Sequence, residues 1–143
     1  MNDPPTYPTL LTNTRHPYNA EGPLRKLTDS FITPVGLHYV RNHGLVPDID
    51  PDEYTLTVAG VGCKEKVYSL KDLKNPKKFD IVDVTTVIQC NGNRREDFHF
   101  QKPGVPAFGP PHWVAGAIGC STWRGVRLRD LLKASGFDSD GIR

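Results

Sequence analysis

A chain of 143 residues that is 37% hydrophobic can build one core, or part of a larger one. Its net charge of +2 is too small to argue for nucleic acid as a partner, and no apolar run is long enough to span a bilayer. Thirteen glycines and thirteen prolines favour turns over long helices, and three widely spaced cysteines fit neither a disulfide framework nor a CxxC metal pattern. The opening "MNDPPTYPTL" has neither the apolar core of a secretion signal nor an Arg-rich amphipathic pattern, and the tail is not a peroxisomal address. An intracellular protein with reduced thiols, in mitochondrion or cytosol, is the expectation.

Residues 1–30 are rich in Pro, Thr and Asn and show no period, which predicts an extended N-terminal arm ahead of a domain over 31–143. "FITPVGLHYVRNHG" (31–44) reads as a strand that ends in a polar turn. "PDIDPDEYTLTVAGVG" is a loop and then an alternating strand with Tyr54, Leu56 and Val58 on one face. "KVYSLKDLKNPKKF" predicts a short strand and one helical turn capped by Ser69. "FDIVDVTTVIQC" is β-branched and alternates. Val82, Val84, Thr86, Ile88 and Cys90 share one face, Asp83, Thr85 and Gln89 the other, so Cys90 closes the more apolar face.

Residues 91–112 are polar and Pro/Gly-rich, and "KPGVPAFGPPH" reads as a long loop. "WVAGAIGCSTW" is either a strand or a tightly packed turn. "GVRLRDLLKASGF" is the strongest helix signal, with a stripe of Leu128, Leu131 and Leu132 and with Gly136 placed to end it. Together these predict an α+β chain, rich in strand and loop, with about one substantial helix.

Three constellations carry chemistry. Cys90 leads into "NGNRR", a turn followed by Arg94 and Arg95, and both backbone N–H groups and guanidinium groups favour a thiolate. Such a sulfur is a nucleophile or a metal ligand, or half of a Cys–His pair with His43, His99 or His112; a plain buried cysteine also fits. Arg41, Asn42 and His43 place a cation, an amide and an imidazole on consecutive residues, which suits an oxyanion or phosphate as well as a solvated turn. Arg95 with Trp113 and Trp123 offers a cation against aromatic walls.

Taken in order, "LHYVRNHG", "QCNGNRR", "WVAGAIG" and "WRGVRLRDLL" resemble the molybdenum-cofactor domain of eukaryotic sulfite oxidases and assimilatory nitrate reductases, from about His16 to Gly136. The resemblance implies the mixed α+β molybdopterin-binding fold and the molybdenum cofactor, Mo-molybdopterin. By the family pattern Cys90 gives its sulfur to the metal. Arg41, Arg95 and Trp113 line the substrate anion site, and His43 contacts the pterin and its phosphate. The reaction implied is two-electron oxygen-atom transfer on a small oxyanion, sulfite or nitrate, with a haem protein such as cytochrome c as electron partner. Full-length family members are homodimers. "IQC" leans toward sulfite oxidases, while "LHYVRNHG" and "WRGVRLRDLL" lean toward nitrate reductases; a truncated, non-catalytic member is the other alternative.

Three departures accompany the resemblance. The family's domain runs on beyond the position of Arg143, so 31–143 is expected to be its N-terminal part, inactive alone and with the Leu128, Leu131 and Leu132 stripe uncovered. Asn91 stands where alanine is usual, and the loop from Phe98 to His112 is longer than usual. With no room for a haem domain ahead of the motif, electrons are expected to leave to a separate protein.

Overall fold

The computed structural model describes residues 9–101, 109 and 111–137. Among these residues the strands pair two by two into three small sheets, and the helices are one to two turns long. The chain divides into two units, residues 1–47 with 85–122 and residues 48–84 with 123–143.

Among the described residues of the first unit, a hairpin stands where the extended arm was expected. Strand β1 (Leu11–Thr14) pairs antiparallel with β2 (Asn19–Glu21), and helix α1 (Leu24–Leu27) follows. Leu10, Tyr18 and Ala20 form a buried cluster that Val40 packs against. The reason the sequence hides this is chemical: Asn19 and Glu21 are buried alongside Ala20, so β2 has no polar face and no period of two. Their polar atoms are satisfied by hydrogen bonds instead.

Residues 31–44 are likewise not a strand. Pro34 has no N–H to give a ladder, and Val35–Leu37 turn into a 3₁₀ helix. Phe31 and Val35 are 84% and 88% exposed. Extended pairing survives at Val40, which exchanges backbone bonds of 2.8 and 3.0 Å with Ala20. The stretch 91–112, expected to be loop, contains helix α3 (Arg95–Gln101). Its first turn carries Glu96 and Asp97, the charge sign a helix N-terminus favours. Most of "KPGVPAFGPPH" lies outside the described residues.

In the second unit, β3 (Thr55–Val58) pairs antiparallel with β4 (Lys66–Ser69), and α2 (Leu70–Leu73) follows at once. Ser69 caps it as expected. The Asp72 N–H donates to Ser69 Oγ at 3.1 Å, and Asp72 Oδ2 accepts the Ser69 N–H at 3.0 Å, a closed capping box. Tyr68, Phe79 and Leu131 form the core, with Leu56 and Val58 packed on it from the predicted face of β3. Helix α4 (Leu128–Ala134) ends in a Schellman turn: Gly136 has φ 75°, its N–H donates to Lys133 O, and the Phe137 N–H donates to Leu132 O. The leucine stripe divides. Leu131 is buried, Leu132 is half-buried and Leu128 is 68% exposed, so the stripe is not uncovered as a whole.

Strands β5 (Ile81–Gln89) and β6 (Ile118–Val126) form the third sheet. Thr85 meets Thr122 through their hydroxyls at 2.9 Å, and Asp83 meets Arg124 at 2.9 Å, so the strands run in opposite senses. "WVAGAIGCSTW" thus resolves into an irregular segment, 113–117, and a strand. The apolar face expected on β5 is not buried: Val84, Val87 and Ile88 are exposed on both sides of the strand.

Candidate functional site

Cys90 lies just past β5, half-buried, where the strand gives way to a turn. Its backbone N–H donates to Ala117 O at 2.9 Å, a last rung of the β5/β6 pairing. Its carbonyl accepts the Asn93 N–H at 2.9 Å, closing the turn. The Gly92 N–H points at the sulfur, 3.4 Å from Sγ.

Glycine at 92 is a matter of space. A Cβ there would stand 2.8 Å from Trp113 Cδ1, closer than carbon tolerates, and a tight 3.3 Å from its Nε1. Trp113 is wholly buried, and its indole edge lies against this turn. The Arg95 guanidinium also approaches: its Nη2 is 3.6 Å from the same point above Gly92. Cys90, Arg95 and Trp113, separated in sequence, are therefore gathered about one glycine.

The two adjacent arginines have different fates. Arg94 sits in the left-handed region with φ 64°, is exposed, and pairs with Asp97 at 2.6 Å. Arg95 follows with helical backbone and returns its side chain toward Gly92, where Nη1 donates to Gly109 O at 3.4 Å. The strained residue is thus the one that turns the chain so that its neighbour can face the site.

The "RNH" element is held from below by β2. Asn19 Oδ1 accepts the Asn42 N–H at 2.9 Å and Arg41 Nη1 at 3.5 Å. Asn42 Nδ2 donates to Tyr18 O at 2.7 Å. Asn42 is the anchored residue of the three, which leaves Arg41 and His43 exposed to solvent. Arg41 also donates to the Asn42 carbonyl. Among the described hydrogen bonds and ion pairs, none joins Arg41 or His43 to Cys90 or Arg95.

Tyr39 ties the two groups together. Its ring meets Trp113 edge-on at 6.4 Å between centroids. Burial pushes the Tyr39 phenol up, and the nearby Cys90 sulfur, a negative neighbour when ionised, pushes it further. Tyr39 was not legible as a site residue, because a tyrosine at a strand-like position signals core. Asn19, Glu21 and Asn93 were missed for a similar reason: each acts through hydrogen bonds to backbone, which leave no motif. Of the histidines weighed as partners for Cys90, His112 instead pairs with Glu96 at 3.0 Å, His43 is exposed, and the His99 side chain lies outside the described residues. Trp123 lies on β6 in the second unit, and Trp113 is the tryptophan that meets Gly92 with Arg95.

This arrangement offers one sulfur donor beside a guanidinium on an aromatic backing. Among the described residues no three His, Cys, Asp or Glu side chains converge as a metal-binding group. A lone protein sulfur is a donor of the kind a metal takes when a cofactor supplies its other ligands.

A family model described as oxidoreductase molybdopterin binding domain matches residues 43–142. The chain is 39% identical to sulfite oxidase of Gallus gallus over 140 residues, covering 96% of the chain and 29% of that protein. It is 42% identical to mitochondrial sulfite oxidase of Rattus norvegicus, covering 94% of the chain and 24% of the relative. It is 40% identical to NAD(P)H nitrate reductase of Hordeum vulgare, covering 94% of the chain and 15% of the relative. The chain thus spans about a quarter of the length of the sulfite oxidases it matches. A solved structure of the sulfane dehydrogenase SoxCD from Paracoccus pantotrophus matches with a TM-score of 0.68 at 23% identity, over 91% of this chain and 31% of that one. At that identity the likeness speaks for the fold alone.

Proposed function

This chain belongs to the oxidoreductase molybdopterin binding domain family, and on that premise we propose that it forms the thiolate-bearing part of a site that oxidises sulfite to sulfate. The observation that carries the reading is the gathering of Cys90, Arg95 and Trp113 about Gly92, with the Gly92 N–H on Sγ. When bound, the molybdenum cofactor supplies the two-electron redox couple; overall, sulfite and water give sulfate, two protons and two electrons, which pass to a haem protein.

The chain's own residues do the rest. Cys90 offers the sulfur that would hold the metal, with the Gly92 N–H directed at it. The Arg95 guanidinium, planar and always charged, offers a forked donor to an oxyanion. Trp113, wholly buried, offers an aromatic wall on the same glycine that Arg95 approaches. Arg41 and His43, exposed on a segment anchored by Asn42, provide further donors to a substrate oxyanion and to the phosphate of the pterin.

Nitrate reduction is the second reading, favoured by a 40% identity to barley nitrate reductase, inside the 39% to 42% spread of the two sulfite oxidases. The test is steady-state kinetics on the full-length, cofactor-loaded protein containing this chain. Sulfite-dependent reduction of cytochrome c supports the first reading. Nitrate-dependent oxidation of a reduced viologen dye, with no sulfite turnover, replaces it with the second. Turnover of neither leaves the non-catalytic member.

A further inference from the structure

Strand β2 is three residues long, yet both candidate site segments are bonded to it. Asn19 holds Arg41 and Asn42, as described above. Glu21 holds the other segment, 113–117. Glu21 is 1% exposed. Its Oε1 accepts the Val114 N–H at 3.0 Å and Asn13 Nδ2 at 3.1 Å, and its Oε2 accepts the Gly116 N–H at 2.7 Å. A carboxylate can be buried at this depth only if such donors replace its water. The fit leaves no slack: a Cβ at Gly116 would stand 2.3 Å from Gly22 O and 3.1 Å from Glu21 Oε2.

The segment held by Glu21 in turn holds the Cys90 turn at four places. Ala117 O accepts the Cys90 N–H at 2.9 Å, and the Ala117 N–H donates to Asn93 Oδ1 at 3.0 Å. Trp113 O accepts the Glu96 N–H at 3.1 Å, and the Trp113 ring lies against Gly92. We infer that Glu21 is a positioning residue: its carboxylate fixes residues 113–117, and through them sets where Cys90, Gly92 and Arg95 stand. This inference rests on the functional reading only in naming what the turn faces; the contacts stand without it.

Glutamine at 21 keeps the shape but not the chemistry. One oxygen can still accept, while the amide NH₂ must face an N–H that has nothing to bond to. The experiment uses the full-length protein in cofactor-free and cofactor-loaded forms. Alkylation of Cys90 by iodoacetamide, followed site by site by mass spectrometry, reads the turn directly. In the cofactor-free form E21Q is expected to raise the Cys90 alkylation rate by about tenfold, the loosening that loss of one charge-assisted bond allows. Gly116→Ala attacks the same contact from the other side and is expected to do likewise, which keeps the test alive if E21Q folds poorly. Thr33→Ala is the control for a merely structural role: it removes the Thr33 Oγ1 acceptor of the Cys120 N–H, a half-buried bond in the same unit but outside the Cys90 turn, and should leave Cys90 alkylation unchanged. In the loaded form E21Q should lower kcat, whereas Asn19→Ala should raise KM through Arg41. A wild-type Cys90 rate in both E21Q and Gly116→Ala, with lowered Tm as in Thr33→Ala, overturns the proposal. Accelerated alkylation in a protein whose wild type turns over no oxyanion upholds the positioning role and sinks the functional reading instead.

Discussion

At the scale of single residues the account turns on Gly92 and the two arginines that follow it. Gly92→Ala is expected to cost about 1–3 kcal/mol, because the new methyl meets the wholly buried Trp113 indole at 2.8 Å. Chemical denaturation measures it, and an unchanged midpoint would mean that the indole swings aside freely. Arg95→Gln in the full-length enzyme is expected to lose about ten- to hundredfold in kcat/KM for the oxyanion, the worth of one charge-assisted hydrogen bond. Arg95→Lys should recover only part of this, since an ammonium lacks the fork. Arg94→Gln should change kcat/KM little, because Arg94 points to Asp97 rather than to Gly92. Equal losses at 94 and 95 would contradict the division of roles that the left-handed backbone at Arg94 imposes.

Elements show where sequence reading works and where it stops. The Ser69 cap, the alternating face of β3, the long strand β5 and the glycine that ends α4 were all legible, because each follows from local chemistry: a side-chain acceptor, a period of two, a residue free to take positive φ. Strand β2 was not legible, since burial of Asn19 and Glu21 is set by partners more than twenty and ninety residues away. Helix α3 was lost in a stretch whose glycines and prolines lie almost wholly after it. The capping box also gives a pH dependence. Lys78 Nζ at 2.7 Å, with the backbone and hydroxyl of Ser69, holds Asp72 down at about 2. A carboxylate lowered from about 4 stabilises above its unfolded pKa, and that contribution is lost as pH falls from about 4 toward 2. Asp72→Asn is therefore expected to lower Tm at pH 6 and to have little effect near pH 2. The same Tm deficit at both values would show that the shape of the side chain matters and its charge does not.

For the whole molecule, the core of the second unit makes a direct contrast between two residues of one helix. Leu131→Ala empties space between Tyr68 and Phe79 and is expected to cost about 2–5 kcal/mol, while Leu128→Ala on the exposed side should stay within about 0.5 kcal/mol. Comparable losses at both would mean that Leu128 is covered in solution. Motif resemblance singled out Cys90, Arg41, His43, Arg95 and Trp113 as the proposed site, but the residues bonded behind them, Glu21, Asn19 and Asn93, left no motif to read. The central claim is that Cys90 holds the metal. Molybdenum-edge X-ray absorption on the full-length, cofactor-loaded protein tests it most directly. The sulfur shell around molybdenum is expected to lose one scatterer on going from wild type to Cys90→Ser, with Cys63→Ser and Cys120→Ser unchanged. An identical sulfur shell in the Cys90→Ser protein would contradict the assignment.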